Sequence, residues 1–295
     1  MAGTRNGATV QVLADQPNVA REFAFSKSDF QTLARLAYEY AGIALSESKQ
    51  NLIYSRLSRR LRALKLGSFR DYCDYLASEA TEIENFINSL STNHTKFFRE
   101  VHHFEHLRAH VALPFAQAVA RKPGGRLRVW SAGCSSGEEP YTIAVVLKRE
   151  IRDFEANDVK ILATDIDTDV LGRAATGEFA VASIDEVPKE YRTYFLDRVG
   201  ADAIDKIAIS EEVKSLITFR RLNLMETWPF HGLFDAIFCR NVMIYFDGPT
   251  KAALVERFTR QLKPGGFLYI GHSESLVGAH PGLELIGRTT YRRVT

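Results

Sequence analysis

The stretch that decides the fold is Leu127-Arg-Val-Trp-Ser-Ala-Gly-Cys-Ser-Ser-Gly-Glu-Glu-Pro-Tyr-Thr-Ile-Ala144. Its first residues are mostly apolar and β-prone, and they follow the turn-forming Lys122-Pro-Gly-Gly125. Only small side chains lie between Gly133 and Gly137, so a ligand could approach the backbone of this loop closely. Pro140 suits the first turn of a helix, where its missing N–H costs nothing. The stretch therefore predicts a strand, a glycine-rich turn and a helix, a unit that binds NAD, FAD or S-adenosylmethionine in many proteins.

Two acidic features favour one of these ligands. Glu138 and Glu139 stand where a dinucleotide fold would place a pyrophosphate, and two carboxylates there repel phosphate. They suit a ligand that has hydroxyls, an ammonium and a sulfonium. The next predicted strand, 159–164, is followed by Asp165, a suitable partner for ribose hydroxyls. Asp165 follows Gly137 at a longer interval than the roughly 20 residues of the NAD pattern. These residues favour S-adenosylmethionine over NAD.

The composition is that of an ordinary soluble protein with one large or two smaller domains. A net charge of +2 argues against a protein whose whole surface binds polyanions, so we expect no nucleic acid. No apolar run approaches the roughly 18 residues of a membrane span, and residues 1–20 lack the apolar core of a secretory signal. Three dispersed cysteines, Cys73, Cys134 and Cys239, fit free thiols. We therefore expect a cytoplasmic protein without membrane insertion.

The N-terminal part has a helical pattern, and Ser28 with Gln31 three residues later predicts the cap of its first helix. Residues 1–22 are predicted to be a flexible tail and residues 23–90 a small domain of helices. One helix, from about 46 to 67, has no acidic residue from Lys49 onward. Its long basic side chains either cover a solvated face or form a docking face for an acidic partner. The basic residues of this segment are Lys49, Arg56, Arg59, Arg60, Arg62, Lys65 and Arg70.

Two further segments supply polar side chains next to the predicted cleft. Residues 91–100 are either a connector anchored by aromatic residues or a source of hydrogen bonds and of one fixed positive charge, Arg99. The strand 234–239 is followed by Arg240, Asn241 and Tyr245. Ligands of parallel sheets bind beyond the carboxyl ends of strands, so these three residues should face the same cleft as Gly133. Tyr245 has a second interpretation, as an aromatic core residue.

About seven strands alternate with helices, which predicts an α/β doubly wound sheet. Weak periodicity between 177 and 215 predicts an insertion of mostly antiparallel β-structure, a β-subdomain, with a helical piece near 188–197 and a turn at 200–202. The domain that holds the sheet is expected to span 91–295.

Three histidines recur at four-residue spacing on a helix predicted from about 99 to 120: His102, His106 and His110. A catalytic zinc ion would need a further ligand and an open position. We therefore expect surface histidines and no metal site.

The sequence resembles the chemotaxis receptor methyltransferases of the CheR family over nearly all of residues 25 to 294. The resemblance implies a helical N-terminal domain followed by a class I methyltransferase domain with a β-subdomain. It also implies transfer of a methyl group from S-adenosylmethionine to receptor glutamates, giving γ-methyl esters and S-adenosylhomocysteine. The motifs on which it rests are Ser91-Thr-Asn-His-Thr-Lys-Phe-Phe-Arg-Glu, Trp130-Ser-Ala-Gly-Cys-Ser-Ser-Gly-Glu-Glu-Pro-Tyr, Ala163-Thr-Asp-Ile-Asp, Phe234-Asp-Ala-Ile-Phe-Cys-Arg-Asn-Val-Met-Ile-Tyr-Phe and Leu262-Lys-Pro-Gly-Gly.

The resemblance also implies a set of site residues, to which our own interpretation of the loop adds Gly133. Arg99 could in addition hold the incoming carboxylate, and Tyr245 could donate a hydrogen bond near the methyl group; both roles are hypotheses. The basic helix becomes a candidate face for receptor helices, and the β-subdomain a candidate tether for a receptor tail. The predicted cofactor contacts are Asn93, Thr95, Arg99, Gly133, Glu139, Asp165, Asn223, Leu224, Arg240 and Asn241.

Other functions remain open at this point. An NAD-dependent oxidoreductase would need a phosphate-binding loop and an acid–base pair, neither of which is evident. A non-catalytic S-adenosylmethionine sensor would keep Asp165 and the loop but tolerate loss of Arg99 and Tyr245. A carboxyl methyltransferase that acts on another signalling protein or on a small acid is the nearest alternative.

Overall fold

The computed structural model describes residues 21–152, 154–197, 206–276 and 280–294. The predicted tail lies almost entirely outside these residues. Four helices come first in the chain and pack around their own apolar core, which includes Phe30, Leu33, Leu57 and Phe86. These helices are α1 (Lys27–Ala41), α2 (Gln50–Leu64), α3 (Phe69–Ser78) and α4 (Glu82–Leu90).

The ends of α1 and α2 follow local rules. Ser26, rather than the expected Ser28, begins α1, because its hydroxyl accepts from the Asp29 N–H while the Asp29 carboxylate accepts from the Ser26 N–H. Gly42 ends α1 with a φ of +70°. A Cβ at this glycine would lie 2.7 Å from Met225 Sδ, so the turn also presses against a distant loop. A 3₁₀ turn, Glu47–Lys49, precedes α2.

A seven-stranded sheet forms the second part, in the order β6-β2-β1-β7-β8-β10-β9. Strands β6, β2, β1, β7 and β8 are parallel, and β10 is antiparallel to both of its neighbours. This confirms the predicted α/β sheet. The strands seen in the described residues are β1 (Arg126–Ala132), β2 (Asp158–Asp165), β3 (Glu178–Ala180), β4 (Phe195–Asp197), β5 (Lys206–Ile209), β6 (Ile217–Arg221), β7 (Phe234–Cys239), β8 (Leu262–Ile270), β9 (Leu283–Gly287) and β10 (Thr290–Arg293).

Strand β1 separates two apolar cores because successive side chains point to opposite faces. Val129 packs on one face with α7, and Trp130 packs on the other with Phe258 of α10. The buried Trp130 ring also donates from Nε1 to Thr164 Oγ1 on β2, at 2.9 Å. The sheet is therefore covered by helices on both faces. The remaining helices are α5 (Val101–Leu107), α6 (Leu113–Arg121), α7 (Glu138–Glu150), α8 (Thr168–Thr176), α9 (Glu211–Lys214) and α10 (Gly248–Gln261).

The helix predicted from 99 to 120 has an irregular centre. A π-helical segment, Arg108–Ala112, joins α5 to α6. Pro114 follows it at the start of α6. Because proline has no N–H to donate to the carbonyl one turn earlier, the helical turn before it widens. The expectation of surface histidines was wrong for His102 and His106, which are both half-buried; His106 Nδ1 lies 3.0 Å from the Tyr269 hydroxyl.

The predicted insertion contains a three-stranded antiparallel sheet in the order β3-β5-β4. A 3₁₀ helix, Lys189–Tyr194, precedes β4, where the sequence predicted a helical piece from 188 to 197. The predicted turn at 200–202 lies outside the described residues. No described helix has both the length and the apolarity that crossing a membrane requires.

Candidate active site

A cavity of about 540 Å³ lies between the N-terminal helices and the carboxyl ends of the parallel strands. The sheet supplies its base, and residues of α1, α2 and the turn between them supply its opposite wall. Every predicted site residue lines this cavity, as expected for those that follow the carboxyl ends of parallel strands. These residues are Asn93, Thr95, Arg99, Gly133, Glu139, Asp165, Asn223, Leu224, Arg240, Asn241 and Tyr245.

The glycine-rich loop is packed too tightly to carry a side chain at Gly133. Its φ is +85°, and a Cβ there would lie 2.3 Å from Val242 Cγ2. The Gly133 N–H donates to the Thr164 carbonyl at 2.8 Å, and the Ser135 N–H donates to Asp165 Oδ2 at 2.8 Å. Gly137, with a φ of +102°, then begins α7. The loop is thus fixed to the end of β2 by its own backbone.

Asp165 is a half-buried acceptor at the end of β2. Its Oδ1 accepts from the Asp167 N–H at 3.0 Å, and its Oδ2 accepts from Ser135. Burial raises the pKa of Asp165 to about 6, although these backbone hydrogen bonds oppose the shift. Each carboxylate oxygen has a second lone pair, so Asp165 can accept from the hydroxyls of a ligand as well.

A buried ion-pair network closes the base of the cavity. Arg240, with a side chain only 2% exposed, pairs through Nη1 with Glu139 Oε2 at 3.0 Å and through Nη2 with Glu100 Oε2 at 3.2 Å. It also donates to the Arg99 carbonyl. The sequence predicted a cofactor contact at Arg240, whereas the structure shows a guanidinium engaged by three protein groups.

The two carboxylates of the network differ. Burial raises the pKa of Glu139 in spite of Arg240 and of the Ser131 hydroxyl, which donates to Glu139 Oε1 at 2.7 Å. Burial would also raise the pKa of Glu100, but Arg240 and hydrogen bonds from His272 hold that pKa at about 2. With two carboxylates to one guanidinium, the network has an excess of negative charge when all three groups are ionised. A cationic ligand therefore fits the base of the cavity.

Two predicted amide residues hold protein segments together. Asn93 Nδ2 donates to Asp167 Oδ2 at 2.7 Å, which ties the segment after α4 to the end of β2. Asn223 Nδ2 donates to the Tyr40 carbonyl of α1 at 2.6 Å, and its Oδ1 accepts from the Met225 N–H at 3.0 Å. Their side chains therefore position the walls of the cavity.

Glu274 is a functional residue that sequence reasoning missed. This buried carboxylate accepts at Oε2 from the N–H groups of Gly271 and Asn241, at 2.6 and 3.0 Å, and at Oε1 from the Ile244 N–H at 3.2 Å. It thereby holds the loop after β7, in which Asn241 has a φ of +60°. Residues 271–274 directly follow the carboxyl end of β8, and this position in the sequence was the available signal.

Arg99 and Tyr245 have polar groups left for a ligand. Among the described residues, the Arg99 guanidinium makes one hydrogen bond, from Nη1 to the His94 carbonyl at 3.0 Å, and the Tyr245 hydroxyl makes none. The Tyr245 backbone carbonyl accepts from the Ala44 N–H at 2.8 Å. Both side chains line the cavity, together with the basic Lys49 and Arg56 of the N-terminal wall.

The comparisons with known proteins agree with this geometry. Residues 93–292 match the family model described as CheR methyltransferase, SAM binding domain, and residues 28–91 match the one described as CheR methyltransferase, all-alpha domain. A probable chemotaxis protein methyltransferase of Rhizobium etli is 46% identical over 263 residues, covering 88% of this chain and 97% of the relative. Chemotaxis protein methyltransferase 2 of Pseudomonas aeruginosa is 44% identical over 275 residues, covering 92% and 95%. The chemotaxis protein methyltransferase of Escherichia coli is 39% identical over 277 residues, covering 92% and 93%.

The ion-pair network predicts a large effect of Arg240→Met on stability. Removing the guanidinium leaves Glu100 and Glu139 buried without their partner, which should lower the free energy of unfolding by about 3–5 kcal/mol. Urea unfolding at pH 7 measures this. Arg260→Met is the control, because Arg260 is 65% exposed and pairs with Glu256 on the same helix; we expect a loss below about 1 kcal/mol. Equal losses for the two variants would contradict the prediction.

Proposed function

The chain belongs to the CheR methyltransferase family, and we propose that it methylates glutamate side chains of chemoreceptors. The cofactor is S-adenosylmethionine, as the description of the family model for residues 93–292 states. The products would be a glutamate γ-methyl ester and S-adenosylhomocysteine. The observation that supports this best is the cavity itself, which has carboxylates at its base and basic side chains on the opposite wall. We propose the same domain division as before, with the boundary near residue 91 and the β-subdomain at 177–215.

The residues at the base fit the cofactor. Asp165 can accept from ribose hydroxyls, and the small loop around Gly133 allows close approach to the backbone. Glu139 lies where a positively charged group would be stabilised. We propose that Asn223 and Leu224 contact the adenine and amino-acid ends of S-adenosylmethionine. The remaining proposed contacts are Asn93, Thr95, Arg99, Arg240 and Asn241, of which Asn93 and Arg240 also hold the site together.

The proposed reaction requires the protein mainly to align the reacting groups. A glutamate carboxylate is already ionised near neutral pH, with a reference pKa of about 4.3, so no general base is required. S-adenosylmethionine supplies a methyl group that is activated by the sulfonium. The protein must bring the carboxylate oxygen into line with the methyl carbon and the sulfur, which is orientation work. We propose that Arg99 holds the carboxylate through its free N–H groups and that the Tyr245 hydroxyl donates a hydrogen bond near the methyl group.

Helix α2 is the proposed receptor face, although part of its charge is already paired. Arg60 forms a two-point pair with Glu82, at 2.5 and 2.6 Å, and Arg62 pairs with Glu22. Lys49, Arg56 and Arg59 have no carboxylate partner among the described residues. We therefore propose that these three side chains contribute most of the attraction to acidic receptor helices. The β-subdomain stays a proposed tether for a receptor tail.

Methyl transfer is the direct test of the proposed function. The protein would be mixed with methyl-labelled S-adenosylmethionine and a chemoreceptor cytoplasmic fragment, and we expect label on receptor glutamates that mild base releases. A fragment whose methylation-site glutamates are replaced by alanine is the control. Intact cofactor binding without any label would contradict the proposal and favour a different acceptor or a sensor.

Arg99→Ala and Tyr245→Phe should separate acceptor binding from cofactor binding. Loss of a charge-assisted hydrogen bond costs about 1.5–3 kcal/mol, so Arg99→Ala should lower kcat/KM for the receptor fragment by about tenfold to a hundredfold. Loss of the neutral donor in Tyr245→Phe should cost about tenfold. The affinity for S-adenosylmethionine, measured by calorimetry, should fall by a smaller factor than kcat/KM, because Arg99 is one of several proposed cofactor contacts.

The exposed Arg220 provides the matched control, since Arg220→Ala also removes one guanidinium. It should leave both quantities unchanged. If Arg99→Ala mainly abolishes cofactor binding, the proposed carboxylate-holding role is wrong.

Asp165 predicts a pH dependence of cofactor binding. Its pKa of about 6 means that the carboxylate, which is the better acceptor for ribose hydroxyls, is replaced by the protonated form as the pH falls through 6. The affinity for S-adenosylmethionine should therefore fall between pH 7.5 and pH 5. Asp165→Asn should bind about tenfold more weakly at pH 7.5 and lose this pH dependence. Calorimetric titrations at several pH values measure both, and an identical pH profile in the variant would contradict the assignment.

A further inference from the structure

A second cluster of chemically reactive side chains lies on the other side of the ion-pair network from the cavity. Glu100, His102 and His103 stand at the start of α5, and one ligand atom of each lies within 4.8 Å of the other two. His272, on the loop after β8, joins them through Nδ1, 2.8 Å from Glu100 Oε1. Glu100 alone belongs to the network already described, and the histidines have no role in the proposed reaction.

The contacts of His103 favour one position for its ring hydrogen. Its Nε2 lies 3.2 Å from the Arg288 carbonyl and 3.0 Å from the Thr289 hydroxyl. A carbonyl oxygen can only accept, so the hydrogen is assigned to Nε2 and a lone pair to Nδ1. A histidine that binds a metal through one nitrogen usually donates from the other to a carbonyl or carboxylate, as here.

The lone pair on Nδ1 faces another acceptor. His103 Nδ1 lies 3.4 Å from Glu100 Oε2, and the imidazole is fully buried without a hydrogen bond at Nδ1 among the described residues. Two acceptors in such contact are stabilised by a proton or a metal ion between them. Ligands about 2.0–2.1 Å from a tetrahedral zinc ion stand roughly 3.3–3.4 Å apart, which is the spacing seen here.

The remaining two side chains complete the set. His102 Nε2 is also buried and has no hydrogen-bond partner among the described residues, and the two histidine rings lie 4.1 Å apart. His272 is 67% exposed, so it gives the cluster a route to solvent and a candidate fourth ligand. Three imidazoles and one carboxylate suit zinc and similar transition metals better than magnesium or calcium, which prefer oxygen ligands.

We propose that Glu100, His102 and His103, with His272 as a mobile fourth ligand, form a binding site for a divalent transition-metal ion such as zinc. The proposal concerns neither the cofactor nor the acceptor and does not rest on the proposed function. The nearby Arg240 repels a cation and weakens the site. It does not exclude one, because Glu139 and the Arg99 carbonyl still engage the guanidinium when Glu100 Oε2 turns to the metal.

A chelator competition titration tests the site. Metal-free protein would be titrated with zinc chloride in the presence of a chromophoric chelator, and with cobalt chloride, whose tetrahedral complexes absorb visible light. We expect one zinc ion per chain and a visible cobalt spectrum. His102→Gln should weaken zinc binding by about tenfold or more, and His272→Gln should weaken it less because that side chain is exposed.

His110→Gln is the matched control, since His110 lies on the same helical segment but is exposed and outside the cluster. It should leave zinc binding unchanged. Circular dichroism and thermal unfolding of the metal-free variants would verify that each one folds. Absence of stoichiometric binding to the wild type overturns the proposal, as does unchanged binding in folded His102→Gln or a loss caused by His110→Gln.

Discussion

The pairing of one guanidinium with two carboxylates is the constraint on which the site depends. Arg240 follows β7, Glu139 lies in the first turn of α7, and Glu100 precedes α5. Each charge would be costly to bury alone, so the three segments are stable in this place only when they meet. The glycine-rich loop, which α7 follows, is held at the same point by the Ser135–Asp165 hydrogen bond. Formation of the network therefore fixes the end of β7, the start of α7 and the start of α5 relative to one another.

The helical domain is part of the site rather than an attachment to it. The Tyr40 carbonyl accepts from Asn223, and the Ala44 N–H donates to the Tyr245 carbonyl, so the end of α1 holds two loops of the sheet domain. Ile43 and Leu52 complete the wall of the cavity from the same side. The exposure of Leu52, 44% on a helix with an otherwise buried stripe, is explained by its place at this opening.

The sequence allowed the residues at the strand ends to be identified, but not the side chains and backbone groups with which they pair. Parallel strands place their following residues at one edge, so Gly133, Asp165 and Arg240 could be assigned to one cleft from local pattern alone. Arg240 forms an ion pair with Glu100, and Glu274 accepts hydrogen bonds from the loop after β7. Both contacts join residues that are far apart in the chain, and no spacing rule specifies such pairs. The same holds for Asn223, whose amide suits either a ligand or the backbone of α1. The π-helical segment was missed because helical periodicity continues through it, although Pro114 was a local signal.

The tight contact at Gly42 limits how this protein could have diverged. A side chain at this turn would be strained by the φ of +70° and would require the flexible Met225 side chain to move, so changes at the end of α1 and in the loop after β6 are coupled. A helical domain taken from a relative would bring its own turn to this junction and would fit only if the facing loop were compatible. Evolution of new docking surfaces is therefore freer on the outer face of α2 than at the end of α1, and recombination between relatives is best tolerated when both sides of this junction are inherited as a unit.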